Sequence, residues 1–187
     1  MSSTMSAAHA SSEPSTWVQR WSHLVAPGAR VLDVACGSGR HLRWFAQHGC
    51  RVTGVDRDAA ALEASRSCGA ELIHADIESG PWPLAQRRFD AVVVTNYLWR
   101  ALLPQIVESV DAGGVLIYET FALGNERYGK PSNPDFLLRP GELLTLVQGL
   151  RVVAFEEGFA TAPERCVQRI VAARETGPAV DPARWPL

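Results

Sequence analysis

Apolar and polar positions along the chain alternate between short hydrophobic runs and amphipathic stretches. Val31-Leu32-Asp33-Val34 is an apolar run holding one acid, the pattern of a buried strand. Residues 40–48 follow with Leu42, Phe45 and Ala46 at helical spacing, and Gly49 marks the stop. Residues 51–56 read as a second strand. Asp58 caps a helix through Ser67, closed by Gly69, and residues 70–75 read as a third strand. Residues 89–95 are nearly unbroken apolar, as in a central strand buried on both faces. Pro104 starts a helix carrying Ile106, Val107 and Val110, and residues 111–114 turn into a fifth strand over 115–120. Strands alternating with helices predict an α/β domain with a parallel sheet and right-handed crossovers.

Three stretches interrupt that rhythm. The connection at 78–83 holds two prolines and a glycine, so an irregular crossover is expected. A long segment at 121–139 mixes Gly, Asn, Pro and aromatic residues before a helix that Pro140-Gly141-Glu142 introduces. A segment this long is more often a functional lid than a connector. Residues 150–156 and 166–174 then have a turn between them rather than a helix, which suits a terminal antiparallel pair. At the other end, Trp17, Trp21, Leu24 and Val25 share one face of a short helix capped by Ser15 or by Thr16, the latter with Gln19 as a capping box.

Composition narrows the class. The 187 residues are 47% hydrophobic and 20% charged with net charge −2, which suits one globular domain and offers no basic face for nucleic acid. Cys36, Cys50, Cys68 and Cys166 lack zinc spacing, and the histidines at 9, 23, 41, 48 and 74 lack ligand spacing, so reduced structural thiols and no metal are expected. His41 reads as a solvated helix residue. No apolar run reaches the ~18 residues of a membrane span. Residues 1–14 read as a flexible tail, 15–175 as one domain and 176–187 as a second tail with Trp185 docking, together a cytoplasmic protein.

The chemistry centres on residues 31–40, a strand, a G-x-G turn at Gly37 and Gly39, and a helix N-terminus, which is an arrangement for a nucleotide-like ligand. Both glycines let the backbone approach a ligand with no Cβ in the way. Leu42 stands where the dinucleotide pattern has its third glycine, and Asp33 charges the strand, so a nicotinamide dinucleotide fits less well.

Residues 31–40 resemble the first motif of the class I S-adenosylmethionine-dependent methyltransferases. Val52-Thr53-Gly54-Val55-Asp56, Ala75-Asp76-Ile77, Phe89-Asp90-Ala91-Val92-Val93-Val94 and Gly113-Gly114-Val115-Leu116-Ile117-Tyr118-Glu119 follow in that family's order. Among its members the chain is most similar to small stand-alone enzymes of the tellurite-resistance type. The resemblance implies a doubly wound, mostly parallel seven-stranded sheet, S-adenosylmethionine as methyl donor and a small-molecule acceptor. It also implies cofactor contacts from Asp33, Ala35, Gly37 and Gly39, from Asp56 and Arg57, from Asp76 and Ile77, and from Thr95 and Asn96. In those roles Asp33 offsets the ammonium, Asp56 accepts from the ribose hydroxyls, and Asp76 with the Ile77 amide reads adenine. Tyr97, Glu119, Tyr128 and Arg139 are candidate catalytic residues, with Glu119 and Arg139 alternatively pairing to hold the loop. The first helix either covers a sheet edge or closes over the cofactor with Arg20 and Trp17 facing the pocket. An RNA or protein methyltransferase working with a partner, and a non-catalytic binding module, are the other classes. The residues after Asn96, Tyr97 and Leu98, lack the Pro-Pro pattern of base-amino methylation.

Overall fold

The computed structural model describes residues 13–177 and 185–187. Seven strands form one sheet in the order β3-β2-β1-β4-β5-β7-β6. They are β1 Arg30–Val34, β2 Arg51–Asp56, β3 Glu71–His74, β4 Phe89–Thr95, β5 Val110–Phe121, β6 Arg151–Thr161 and β7 Glu164–Ala173. The first five run parallel, whereas β7 pairs antiparallel with both β5 and β6. The order reverses between β1 and β4. At such a switch point the flanking connections leave to opposite faces and open a crevice at the carboxyl ends of the strands.

Helices cover both faces. On one side α1 (Thr16–Trp21) and α2 (Arg40–Gln47) bury Trp17, Trp21, Leu42 and Phe45 against Val31, Val93, Ile117 and Val171. On the other, α4 (Leu103–Glu108) and α5 (Glu142–Leu146) pack Leu103, Ile106 and Leu143 with Trp82 and Leu84 of the irregular crossover against Leu32, Val94 and Leu116. The short α3 (Ala59–Glu63) starts on the Asp58 carboxylate, which accepts from the amides of Ala60 and Ala61.

Several local expectations are corrected. Ser15 rather than Thr16 caps α1, accepting from the Trp17 amide, while the Gln19 side chain donates to the Pro14 carbonyl. Trp17 is buried against the sheet and Arg20 lies over Trp21 while pairing with Glu156, so α1 covers the sheet instead of turning those two residues to a pocket. The helix after Asp58 ends at Glu63 and a 3-10 turn, Arg66–Cys68, completes the connection. Val110 belongs to β5 and not to the preceding helix, because a register shift opposite Phe89 and Ala91 absorbs the Gly113-Gly114 pair within one long strand. The terminal strands also run longer than their apolar runs, joined by a tight turn at 162–163.

Trp185 packs on the α1 side, and the Pro186 carbonyl lies 3.1 Å from His23 Nε2. The expected tail at 1–14 falls mostly outside the described residues, as do positions 178–184 of the second. No described helix is long and apolar enough to cross a membrane.

Candidate active site

Asp33, Asp56 and Asp76 stand at or just beyond the carboxyl ends of β1, β2 and β3, three neighbouring strands. Their surroundings differ. Asp33 is 2% exposed, and its Oδ2 has no hydrogen-bond partner. Asp56 is half-buried; its Oδ2 accepts from the Gly37 amide at 2.7 Å and its Oδ1 from the Asp58 amide at 2.8 Å. Asp76 is exposed and ties the next turn, its Oδ1 accepting from the amides of Glu78 and Ser79, which hold the carboxyl below its usual range. Ile77 is buried beside it, and the exposed Arg57 meets Glu78 at 3.5 Å.

The glycine loop separates into two functions. At Gly37 (φ +53°) an added Cβ meets nothing within 4 Å, so the loop is open there. At Gly39 (φ +74°) a Cβ falls 2.3 Å from Ser65 Oγ, so this glycine is required by packing and by its left-handed backbone rather than by ligand approach. Ala35 (φ 53°) and Asn96 (φ 55°) are the described non-glycine residues with positive φ. They close β1 and β4 on either side of the switch point, where strain is characteristically held by a functional site.

His41 is not solvated. It is 2% exposed, its Nε2 accepts from the Ser15 amide at 3.1 Å, and its Nδ1 lies 3.7 Å from Asp33 Oδ2. Arg40, one residue earlier, is half-buried, reaching Thr95 Oγ1 at 3.3 Å, and burial lowers its pKa. Asn96 donates its amide to the Glu119 carbonyl.

Glu119 is fully buried. It accepts from Ser15 Oγ at 2.8 Å and from Arg169 Nε, with Arg165 3.6 Å away. It does not meet Arg139, which is exposed on the opposite side of the sheet. There the Arg139 amide donates to Glu142 and its carbonyl accepts from Gln168. The reason is register: β5 and β7 place Glu119 opposite Arg169, and Glu119 alternates to the same face as Ile117 and Val171.

Tyr128 also lies away from Glu119, stacking on Phe159 with ring centroids 4.7 Å apart. The segment carrying it is anchored at its base. Leu123 and Leu138 pair through backbone bonds, and Leu137 and Leu138 are buried. Arg100 grips Glu142 in a bidentate pair and the Leu137 carbonyl. Tyr97 is half-buried with its hydroxyl sealed and unpartnered, and burial pushes the phenol well above its usual value. Sequence reasoning gave no site role to Ser15, Arg40, Arg100, Arg165 or Arg169; Arg40 ends the first motif and Ser15 was read only as a helix cap, while the strand register and the α1 docking bring Ser15, Arg165 and Arg169 to Glu119.

Residues 31–114 match the family model described as "Methyltransferase domain". Over that part of its length the chain is similar to methyltransferase domains. A malonyl-[acyl-carrier protein] O-methyltransferase of Enterobacter lignolyticus is 39% identical over 107 residues, covering 50% of this chain and 39% of that protein. A ribosomal RNA small subunit methyltransferase H of Gemmatimonas aurantiaca is 27% identical over 161 residues, 83% of this chain and 50% of that protein. The chain thus spans half or less of the length of these curated relatives. TehB from Haemophilus influenzae superposes with a TM-score of 0.70 at 17% identity, over 84% of this chain and 61% of that one, a likeness of fold. Among the described residues no group of three His, Cys, Asp or Glu side chains is arranged to hold a metal, and all four cysteines are free thiols.

The site's chemistry suits S-adenosylmethionine. A buried carboxylate oxygen lacking a donor at Asp33 fits an ammonium group, the open backbone at Gly37 fits close approach, and Asp56 retains lone pairs for hydroxyl donors.

Proposed function

We propose that this domain transfers the methyl group of S-adenosylmethionine to a small-molecule acceptor. The observation that carries the reading is the trio of carboxylates at three consecutive strand ends beside the glycine loop. Asp56 and Asp76 alone serve equally well as turn residues, but the three together match the ammonium, ribose and adenine of one ligand. S-adenosylmethionine supplies an activated methyl group when bound. Asp33 offsets the ammonium, the Gly37 loop and Ala35 follow the methionine part, Asp56 with Arg57 holds the ribose, and Asp76 with Ile77 faces adenine. Thr95 and Asn96 line the β4 end. Because the methyl is already activated, the protein's contribution is to position the acceptor in line and exclude water.

The segment at 121–139 is the acceptor lid in this reading, with Tyr128 and Arg139 as its contacts. Tyr97 contributes an aromatic wall; its raised pKa makes it a poor base. Glu119 serves by organising Ser15 and Arg169. A small acceptor is favoured over RNA because net charge −2 supplies no basic surface for phosphates. A cytoplasmic location is part of this proposal. Incubation with methyl-labelled cofactor and fractionated cell extract tests the proposal. Label in small molecules supports it; label confined to RNA or protein, or no label with cofactor bound, overturns it.

A further inference from the structure

Beneath residues 13–15 four arginines meet three carboxylates on the α1 face of the sheet. Arg169 is satisfied by Glu119 and by Glu156 at 3.4 Å, and Glu156 also takes Arg20 at 2.9 Å. Arg40 spends its hydrogen bonds on neutral oxygens, Thr95 Oγ1 and the Glu13 carbonyl. Asp33 faces His41. Arg165 is left over. Its side chain is 18% exposed, its Nε is buried with no hydrogen-bond partner, and its contact with Glu119 is 3.6 Å, too long for a hydrogen bond.

A buried guanidinium donor without an acceptor is rare in folded proteins, because desolvating it gains nothing in return. Glu119 already accepts from Arg169 and Ser15 and stands beyond hydrogen-bond distance of Arg165. Arg40 and Arg165 also lie near enough for their like charges to repel, which an anion between them would relieve. Arg165 begins β7, beyond β5, on the side of the switch point away from the strand ends of Asp56 and Asp76. Ala160 stands opposite it in register, and the buried Val167 is next on the same face.

We propose that Arg165 is a specificity-determining residue that seats an oxyanion of the acceptor, so that the acceptor class is small carboxylates or similarly anionic molecules. This rests on the methyl-transfer reading above. A planar guanidinium suits this task because two of its N–H groups match two carboxylate oxygens.

The test titrates benzoate, phenylacetate and malonate, and the matching amides, into protein saturated with S-adenosylhomocysteine. At least one acid is expected to bind about tenfold or more tightly than its amide, with that preference lost in Arg165→Gln and partly kept in Arg165→Lys. Circular dichroism and S-adenosylhomocysteine affinity serve as fold and cofactor controls. Equal binding of acids and amides, no binding of any acid, or a preference that survives Arg165→Gln overturns the proposal. It is also overturned if Arg165→Gln weakens S-adenosylhomocysteine but not 5′-methylthioadenosine, since Arg165 then holds the cofactor's own carboxylate. If the wild type binds neither nucleoside, the cofactor reading fails first, and the two failures are told apart.

Discussion

His41 accepts the backbone N–H of Ser15 on Nε2, and this leaves its proton on Nδ1, 3.7 Å from the Asp33 carboxylate. A backbone amide only donates, so the tautomer follows from the contact. The same imidazole thus joins the chain segment before α1 to the acid at the end of β1, with both side chains 2% exposed.

Asp33→Asn separates binding from stability. The carboxylate is buried with one oxygen unpaired, so neutralising it removes a desolvation penalty. The melting temperature is expected to hold or rise, while S-adenosylhomocysteine affinity falls about fivefold or more, roughly 1 kcal/mol. A clear loss of melting temperature with unchanged affinity instead makes Asp33 a structural partner of His41.

Asp56→Ala removes the acceptor of the Gly37 and Asp58 amides together with the proposed ribose contact. Hydrogen bonds to a charged group contribute roughly 1.5–3 kcal/mol each, so calorimetry should show affinity weaker by at least about tenfold. Unchanged affinity removes Asp56 from the ribose role.

Arg169→Gln leaves Glu119 buried without its closest cation, a change on the order of 3 kcal/mol. Arg139→Ala, at an exposed residue that does not touch Glu119, should leave stability within about 0.5 kcal/mol. Urea denaturation of both variants checks the contrast. Equal losses mean that the pair controlling Glu119 has been misassigned. With an acceptor in hand, Arg139→Ala should lower turnover while sparing cofactor affinity if the lid reading holds.

Arg30 binds Asp90 through two nitrogens and Asp111 through a third contact at 2.7 Å, holding both carboxyls below their usual range. Lowered carboxyl pKa values mean that this stabilisation is complete above the unfolded value of 3.8 and disappears as pH falls through the folded values. The three side chains are 37–43% exposed, so solvent screens the pairs and the total is about 1 kcal/mol. Arg30→Gln should therefore melt lower than wild type near neutrality, with the difference closing below pH 3.8. A difference that persists at low pH assigns the effect to packing.

Local pattern determined most of this architecture. Residues 89–95 lie buried between two helical layers, so the apolar run alone marks β4 with the ends the structure shows. The antiparallel pair at the C-terminus follows from two strand patterns with too short a connection for a crossover. Asp33, Asp56 and Asp76 were readable because each sits within a few residues of its own strand end, where local order sets position. The pairing of Glu119 was not readable. Its partner Arg169 is 50 residues away and is selected by the β5–β7 register, whereas Arg139, nearer in sequence, is carried to the other face by the chain between them. Nor was the burial of His41, since the α2 pattern cannot announce that the segment before α1 folds across it. A side chain's neighbours along one element come from periodicity, while its neighbours across elements come from which strands pair and which helix docks. That is why the three aspartates at the strand ends could be placed from the sequence, while the cluster of Arg165, Arg169 and Glu119 was decided only by the tertiary structure.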